Sequence, residues 1–126
     1  MALLADLDGF DWCGIYRLEG GYLELDAFVG SETEHTRIGV GQGVCGSAVS
    51  EGKNQVVDDV STLENYLSCS VKTRSEIVVL IRSGDEILGQ IDIDSHEKCR
   101  FSGDEESFLD ELAGLVADRW SEPSKP

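Results

Sequence analysis

Arg74-Ser75-Glu76-Ile77-Val78-Val79-Leu80-Ile81, followed after a polar turn by Ile87-Leu88-Gly89-Gln90-Ile91-Asp92-Ile93-Asp94, is the stretch from which the architecture follows. Both runs are rich in Ile and Val, which fit a pleated strand, and Ser83-Gly84-Asp85-Glu86 between them carries turn chemistry. They read as a β-hairpin. Alternation with period two sets Ser75, Ile77, Val79 and Ile81 on one face of the first strand, with Arg74 and Glu76 on the other. In the second strand Gly89, Ile91 and Ile93 share a face, Leu88 falls out of phase, and Gln90, Asp92 and Asp94 point the opposite way. A hairpin loop of three or five residues brings Glu76 across from Asp92 or Asp94, whereas a loop of four reverses one face, so register decides whether the carboxylates meet. If they meet, mutual repulsion raises at least one pKa, giving a site able to hold an ammonium group or donate a proton near neutral pH. On an acidic chain the same residues also suit a solvated sheet face, and Arg74 is the natural internal counter-ion.

Outward from this hairpin, Trp12 to Leu18 and Tyr22 to Val29 flank a Glu19-Gly20-Gly21 turn and predict another hairpin. In its second strand Leu23, Leu25, Ala27 and Val29 alternate with Tyr22, Glu24, Asp26 and Phe28. Gly41 to Val49 reads as a glycine-rich entry into a short helix that stops near Gly52. Asn54 to Val57 predicts a short strand, and Ser61 to Leu67 a helical turn capped by Ser61 with Glu64 three residues on. Residues 2 to 8 suit a short amphipathic helix through Leu3, Leu4 and Leu7. Ser102 and Glu105 form a capping-box signature ahead of Phe108, Leu109, Leu112, Leu115, Val116 and Trp120 at helical spacing, so that helix should pack on the sheet. The fold class is α+β, an antiparallel sheet flanked by helices in a single domain of residues 1–120, with a loose polar tail at 121–126.

The chain has 126 residues, 40% hydrophobic and 28% charged, a size that suits one core. Its formal net charge of −15 repels phosphate backbones and anionic membrane surfaces, which argues against nucleic acid and lipid as partners. No run approaches the roughly 18 apolar residues of a membrane span, and the start lacks a basic region before its apolar patch, so a cytoplasmic location is expected.

Four cysteines, Cys13, Cys45, Cys69 and Cys99, are too few and too widely spaced for a secreted disulfide scaffold, and none pairs with Cys or His at zinc-site spacing. No EF-hand loop appears, and no metal is expected. Cys69 lies in a polar loop near Lys72 and Arg74, and Cys45 at the start of a predicted helix, two settings that favour a thiolate. Cys13 and Cys99 suit packing roles. His35, beside Glu34, reads as a solvated loop residue. The Gly39-Val40-Gly41-Gln42-Gly43 run lacks the Lys-Ser/Thr of a P-loop and the βαβ setting of a dinucleotide site.

With these residues in view, the chain resembles the GAF-domain free methionine-(R)-sulfoxide reductases from about Trp12 to Trp120. Four segments carry the likeness: Trp12-Cys13-Gly14-Ile15-Tyr16, Arg37 to Gly46, Arg74-Ser75-Glu76-Ile77-Val78-Val79, and Leu88 to Ser95. The resemblance implies a GAF-like sheet and a thiol-dependent reduction of free L-methionine-(R)-sulfoxide to methionine. It implies Cys69 as nucleophile and Cys45 as resolving thiol, with Glu76, Asp92 and Asp94 at the polar end of the substrate pocket. Trp12 and Tyr16 would line the part that holds the methyl group, next to Leu67 and Ser68 of the nucleophile loop. No cofactor is implied beyond an external dithiol such as thioredoxin. Relatives often carry a third cysteine where this chain has His35, so resolution falls to Cys45, and they usually place Ala and an acidic residue where Ser68 and Ser70 flank Cys69. Relatives also begin with a longer helical segment, and this chain enters at that segment's last turns: either residues upstream of Met1 are missing, or the sheet is covered by other means, such as a second subunit in a homodimer. Two other readings are a GAF-type ligand-binding module without turnover and a redox sensor whose signal is a disulfide between Cys45 and Cys69.

Overall fold

In the computed structural model, which describes residues 9–30, 33, 35–62 and 73–121, six strands form one antiparallel sheet. They are β1 (Trp12–Glu19), β2 (Tyr22–Val29), β3 (Arg37–Gly39), β4 (Gln55–Val57), β5 (Ser75–Ser83) and β6 (Glu86–Ser95), in the spatial order β3-β2-β1-β6-β5-β4. Helix α1 (Gly43–Glu51) covers one face and α2 (Gly103–Ser121) the other. The helix expected over residues 2–8 and the helical turn beyond Thr62 lie outside the described residues.

The central hairpin turns on two residues, Gly84 and Asp85, a tighter loop than any of the lengths weighed above. Gly84, at φ 61°, supplies the positive angle that the first position of such a turn needs. Carried straight down the ladder, this turn would set Glu76 opposite Ile93 and part it from the aspartates. Instead the register slips between Ile81 and Arg82: Arg82 pairs with Ile87 and Ile81 with Gly89, so Leu88 is an extra residue on β6. The bulge restores Glu76 opposite Asp94 and Val78 opposite Asp92. Leu88, out of phase in the sequence pattern, is thus the residue that aims three carboxylates at one another. A second bulge, between Ile15 and Tyr16, leaves Asp26 extra on β2 and breaks the alternation expected there. Beyond it Phe28 pairs with Gly14 and stacks on Trp12, with ring centroids 5.9 Å apart.

Ile77, Val79, Ile81, Ile91 and Ile93 are at most 1% exposed and form one core layer under α2. The helix starts as expected: Ser102 N–H donates to Glu105 Oε1 (2.8 Å), and Glu105 N–H donates back to Ser102 Oγ (3.4 Å). Its buried stripe is Leu109, Ala113 and Ala117, where alanine lets the helix lie close to the strands, while Leu112, Val116 and Trp120 pack at the margins. Phe108 and Leu115 do not join this core as the spacing suggested; they are 51% and 67% exposed, because the apolar arc of α2 is wider than the sheet beneath it. Asn54 ties helix to sheet. Its Nδ2 donates to Glu106 Oε2 (3.0 Å) and Asp110 Oδ1 (2.9 Å), and its Oδ1 accepts from Leu80 N–H (2.8 Å).

Val60–Thr62 form a 3-10 turn, in which Asp59 Oδ1 accepts from Ser61 N–H (3.0 Å) and Ser61 Oγ–H (2.7 Å); the cap expected from Ser61 with Glu64 falls outside the described residues. Cys99, expected to pack, is exposed in the loop before α2 with φ 53°, whereas Cys13 is fully buried in the α2-side core.

Candidate active site

Three strands contribute a three-by-three grid on the face beneath α1. Register sets Trp12, Asp94 and Glu76 in one row, Gly14, Asp92 and Val78 in the next, and Tyr16, Gln90 and Leu80 in the third. Gly14 matters because it has no side chain: a Cβ there would lie 2.2 Å from Trp12 Cη2, so the indole occupies the space over the middle row. Gly30 yields on the other side, where a Cβ would fall 2.6 Å from Trp12 Cδ1. Tyr16 is fully buried and its hydroxyl donates to the backbone oxygen of His35 (2.9 Å), which fixes the loop before β3. His35 is half-buried rather than free in solvent.

Cys45 reaches the grid from the first turn of α1. The helix begins after Gln42, which is extended (φ −93°, ψ 127°) and whose Oε1 accepts from Gly39 N–H (2.8 Å) in place of capping the helix. Gly46 lets this turn sit against the preceding loop, since a Cβ would meet Gly39 O at 2.4 Å. The Cys45 thiol then donates to Glu76 Oε2 at 3.8 Å. One donor atom each from Cys45, Glu76 and Asp92 lie within 4.8 Å of one another.

All of this is dry. Glu76, Asp92 and Asp94 are 1–2% exposed, so the solvated-face reading of these carboxylates is overturned. Alternation said which residues share a face but not that α1 and Trp12 cover it. Arg74 is exposed in the segment before β5 and does not serve as an internal counter-ion. Burial raises the pKa of Asp92 from the ordinary 3.8, against the partial relief of hydrogen bonds from Glu76 and Cys45. Cys45 is likewise pushed well above 9.0, first by burial and then by the charges of Asp92 and Glu76. The thiolate expected from the helix dipole is therefore reversed: within the first turn of α1, desolvation and two carboxylates outweigh a partial charge. Cys13, on the far side of the sheet, is raised to about 12, mainly by burial.

Of the residues singled out from sequence, the structure brings together Trp12, Tyr16, Cys45, Glu76, Asp92 and Asp94. Cys69, Leu67 and Ser68 lie outside the described residues. Sequence reasoning passed over Gln90, which is fully buried and whose amide N and O have no hydrogen-bond partner among the described residues. The signal was present, since alternation puts Gln90 in line with Asp92 and Asp94. A buried orphan amide beside buried carboxylates marks a surface built to meet a polar guest.

An antiparallel sheet with a small helix over a polar, buried face is the architecture of the GAF domain, and residues 1–120 match that family's model. Among curated proteins, the free methionine-R-sulfoxide reductase of Escherichia coli is 37% identical over 87% of this chain and 66% of its own length. Protein YtsP of Bacillus subtilis is also 37% identical, over 88% of this chain and 69% of its own, so the chain spans about two thirds of these relatives. Among solved structures, the type II free methionine-R-sulfoxide reductase of Thermoplasma acidophilum superposes with a TM-score of 0.88 at 42% identity, covering 93% of this chain and 83% of that one. The enzyme of Neisseria meningitidis, solved in complex with its substrate, gives 0.88 at 36% identity, covering 94% and 72%. The chain belongs to the GAF domain family and, within it, to the free methionine-R-sulfoxide reductases, a family of oxidoreductases. No helix among the described residues is long and apolar enough to cross a membrane.

Proposed function

We propose that this protein reduces free L-methionine-(R)-sulfoxide to methionine at the grid face, with Cys69 as nucleophile. The observation that carries the reading is the convergence of Glu76, Asp92 and Asp94, all buried, on one side of Trp12 and Tyr16. Such an acidic face favours a cationic group, and the ammonium of a free amino acid is one; a peptide-linked residue has no such charge to offer. Trp12 and Tyr16 give the methyl group and thioether chain an aromatic wall.

In this mechanism the Cys69 thiolate attacks the sulfoxide sulfur while a carboxylic acid protonates the sulfoxide oxygen; in the resulting adduct the hydroxyl passes to the Cys69 sulfur as the new S–S bond breaks, which releases methionine and leaves a Cys69 sulfenic acid. Asp92 suits the acid, since burial lets it keep a proton at higher pH than an ordinary carboxyl. Cys45, held as a thiol, does not compete in this first step. Its S–H then faces a carboxylate that has just given up a proton and can accept another as Cys45 condenses with the sulfenic acid, forming a disulfide and releasing water. An external dithiol, thioredoxin or a similar protein, reduces that disulfide to close the cycle.

The test is a methionine-release assay with dithiothreitol on the free R epimer, the free S epimer and a blocked peptide sulfoxide, with Cys69→Ser alongside. Release from the free R epimer alone, lost in Cys69→Ser, is the expected result. A folded protein that releases methionine from none of them is a binding or sensory GAF module, and full activity in Cys69→Ser removes that residue as nucleophile.

A further inference from the structure

We propose that Cys45, Glu76 and Asp92 form a binding site for a borderline-soft divalent cation of the zinc class. Three different elements supply the donors, α1, β5 and β6, and each is held by its own backbone ladder or helix, so the arrangement exists before any ion arrives. The sulfur lies 3.8 Å from Glu76 Oε2. With Zn–S near 2.3 Å and Zn–O near 2.0 Å, a tetrahedral ion separates its sulfur and oxygen ligands by about 3.5 Å, so the donors must draw together from their spread of up to 4.8 Å to hold it.

Two observations set this group apart from an acidic patch. The first is that Asp92, 1% exposed, has no hydrogen-bond partner among the described residues outside Cys45 and Glu76, so a buried carboxylate points into the group without a cation. The second is Gln90, next along the same strand face, whose amide atoms are buried without a partner. The donor set also states a preference. Magnesium and calcium take oxygen ligands, whereas one thiolate with two carboxylates suits zinc and cobalt(II). On binding, the metal–sulfur bond replaces the S–H bond, that proton and any carboxyl proton pass to the solvent, and no electrons are exchanged. Three protein donors leave a fourth position open for water or another ligand. The chain spacing, 31 residues from Cys45 to Glu76 and 16 on to Asp92, hides the site from any motif search.

The site itself stands on geometry alone. Its consequence, that the cation competes with an amino-acid ammonium and immobilises a thiol, rests on the function proposed above.

Reduced, chelator-treated protein titrated with Co2+, without sulfoxide present, tests the site through the sulfur-to-cobalt charge-transfer band in the near ultraviolet. A band that saturates at one equivalent and is bleached by Zn2+ is expected. Cys45→Ser should remove it, Asp92→Asn should weaken Co2+ binding by about tenfold or more, and Cys99→Ser, which alters the exposed thiol, should leave it unchanged. No band, a band that survives Cys45→Ser, or one that disappears with Cys99→Ser overturns the proposal. Circular dichroism checks that Cys45→Ser is folded; if it is not, the Asp92→Asn affinity decides. Because no substrate is used, a silent methionine-release assay does not bear on this result, nor a missing band on the reductase reading.

Discussion

Replacing Asp92 by Asn keeps the side-chain shape and removes a charge that burial makes costly, so stability and activity should move in opposite directions. Burial raises the folded-state pKa of Asp92 above the 3.8 of the unfolded chain. Below the unfolded value both states hold the proton and the group contributes nothing to the pH dependence. As pH rises past it, the unfolded chain releases its proton while the folded one retains it, and the wild type loses about 1.4 kcal/mol per pH unit until the folded pKa is reached. Above that pH the loss is constant. Asparagine has nothing to titrate. For 126 residues, an unfolding entropy of about 2.1 cal/mol/K per residue makes each such pH unit worth about 5 °C in Tm. Thermal melts of both proteins without ligand, from about pH 4 to about pH 8, should therefore show the variant's Tm advantage opening as pH rises and then levelling. Methionine release by the same variant should fall by about a hundredfold or more, the usual scale of a lost general acid. A flat difference curve, or a variant less stable than wild type at neutral pH, would refute the reasoning, because it would mean that the folded protein holds Asp92 ionised against a cation.

Gly14→Ala places a methyl 2.2 Å from Trp12 Cη2, so the indole must shift; a stability loss of about 1–3 kcal/mol together with a raised KM for the sulfoxide is expected, checked by melts, tryptophan fluorescence and kinetics. Leu109→Ala, at a fully buried position under α2, should cost about 2–5 kcal/mol in denaturant unfolding, whereas Leu115→Ala, 67% exposed on the same helix, should stay within about 0.5 kcal/mol of wild type. Asn54→Ala leaves the Leu80 N–H without its acceptor and frees α2 from the sheet edge; a loss of about 1–3 kcal/mol and faster hydrogen exchange at Leu80 are the expected signs.

The sequence carried the strands and the faces well because alternation is a property of the strand itself. Gln90, Asp92 and Asp94 share a side whatever their neighbours do, and the capping box at Ser102 and Glu105 is likewise settled within four residues. Register was a harder matter. The two-residue turn at Gly84 and Asp85 and the extra residue at Leu88 each shift the pairing, and only their combination brings Glu76 to Asp94. Leu88's broken phase was a visible trace of the bulge, but its meaning depended on a turn length that Ser83 to Glu86 did not disclose.

Burial and charge state were less legible still, since they depend on what lies above the sheet. The helix dipole argued for a Cys45 thiolate, and an exposed helix start would have produced one. Here the first turn of α1 presses its thiol into a face that carries Glu76 and Asp92, and the short-range partial charge of nine residues loses to desolvation and two carboxylates. The same packing changes what the carboxylates are for. In water they would be solvating groups on an acidic chain; covered by α1 and by an indole that Gly14 and Gly30 make room for, they form a buried acidic group suited to a cation or a proton. In the two proposals made above, selectivity for a free amino acid and affinity for a divalent metal both draw on that buried acidic group, and Asp92 is the residue on which both would depend.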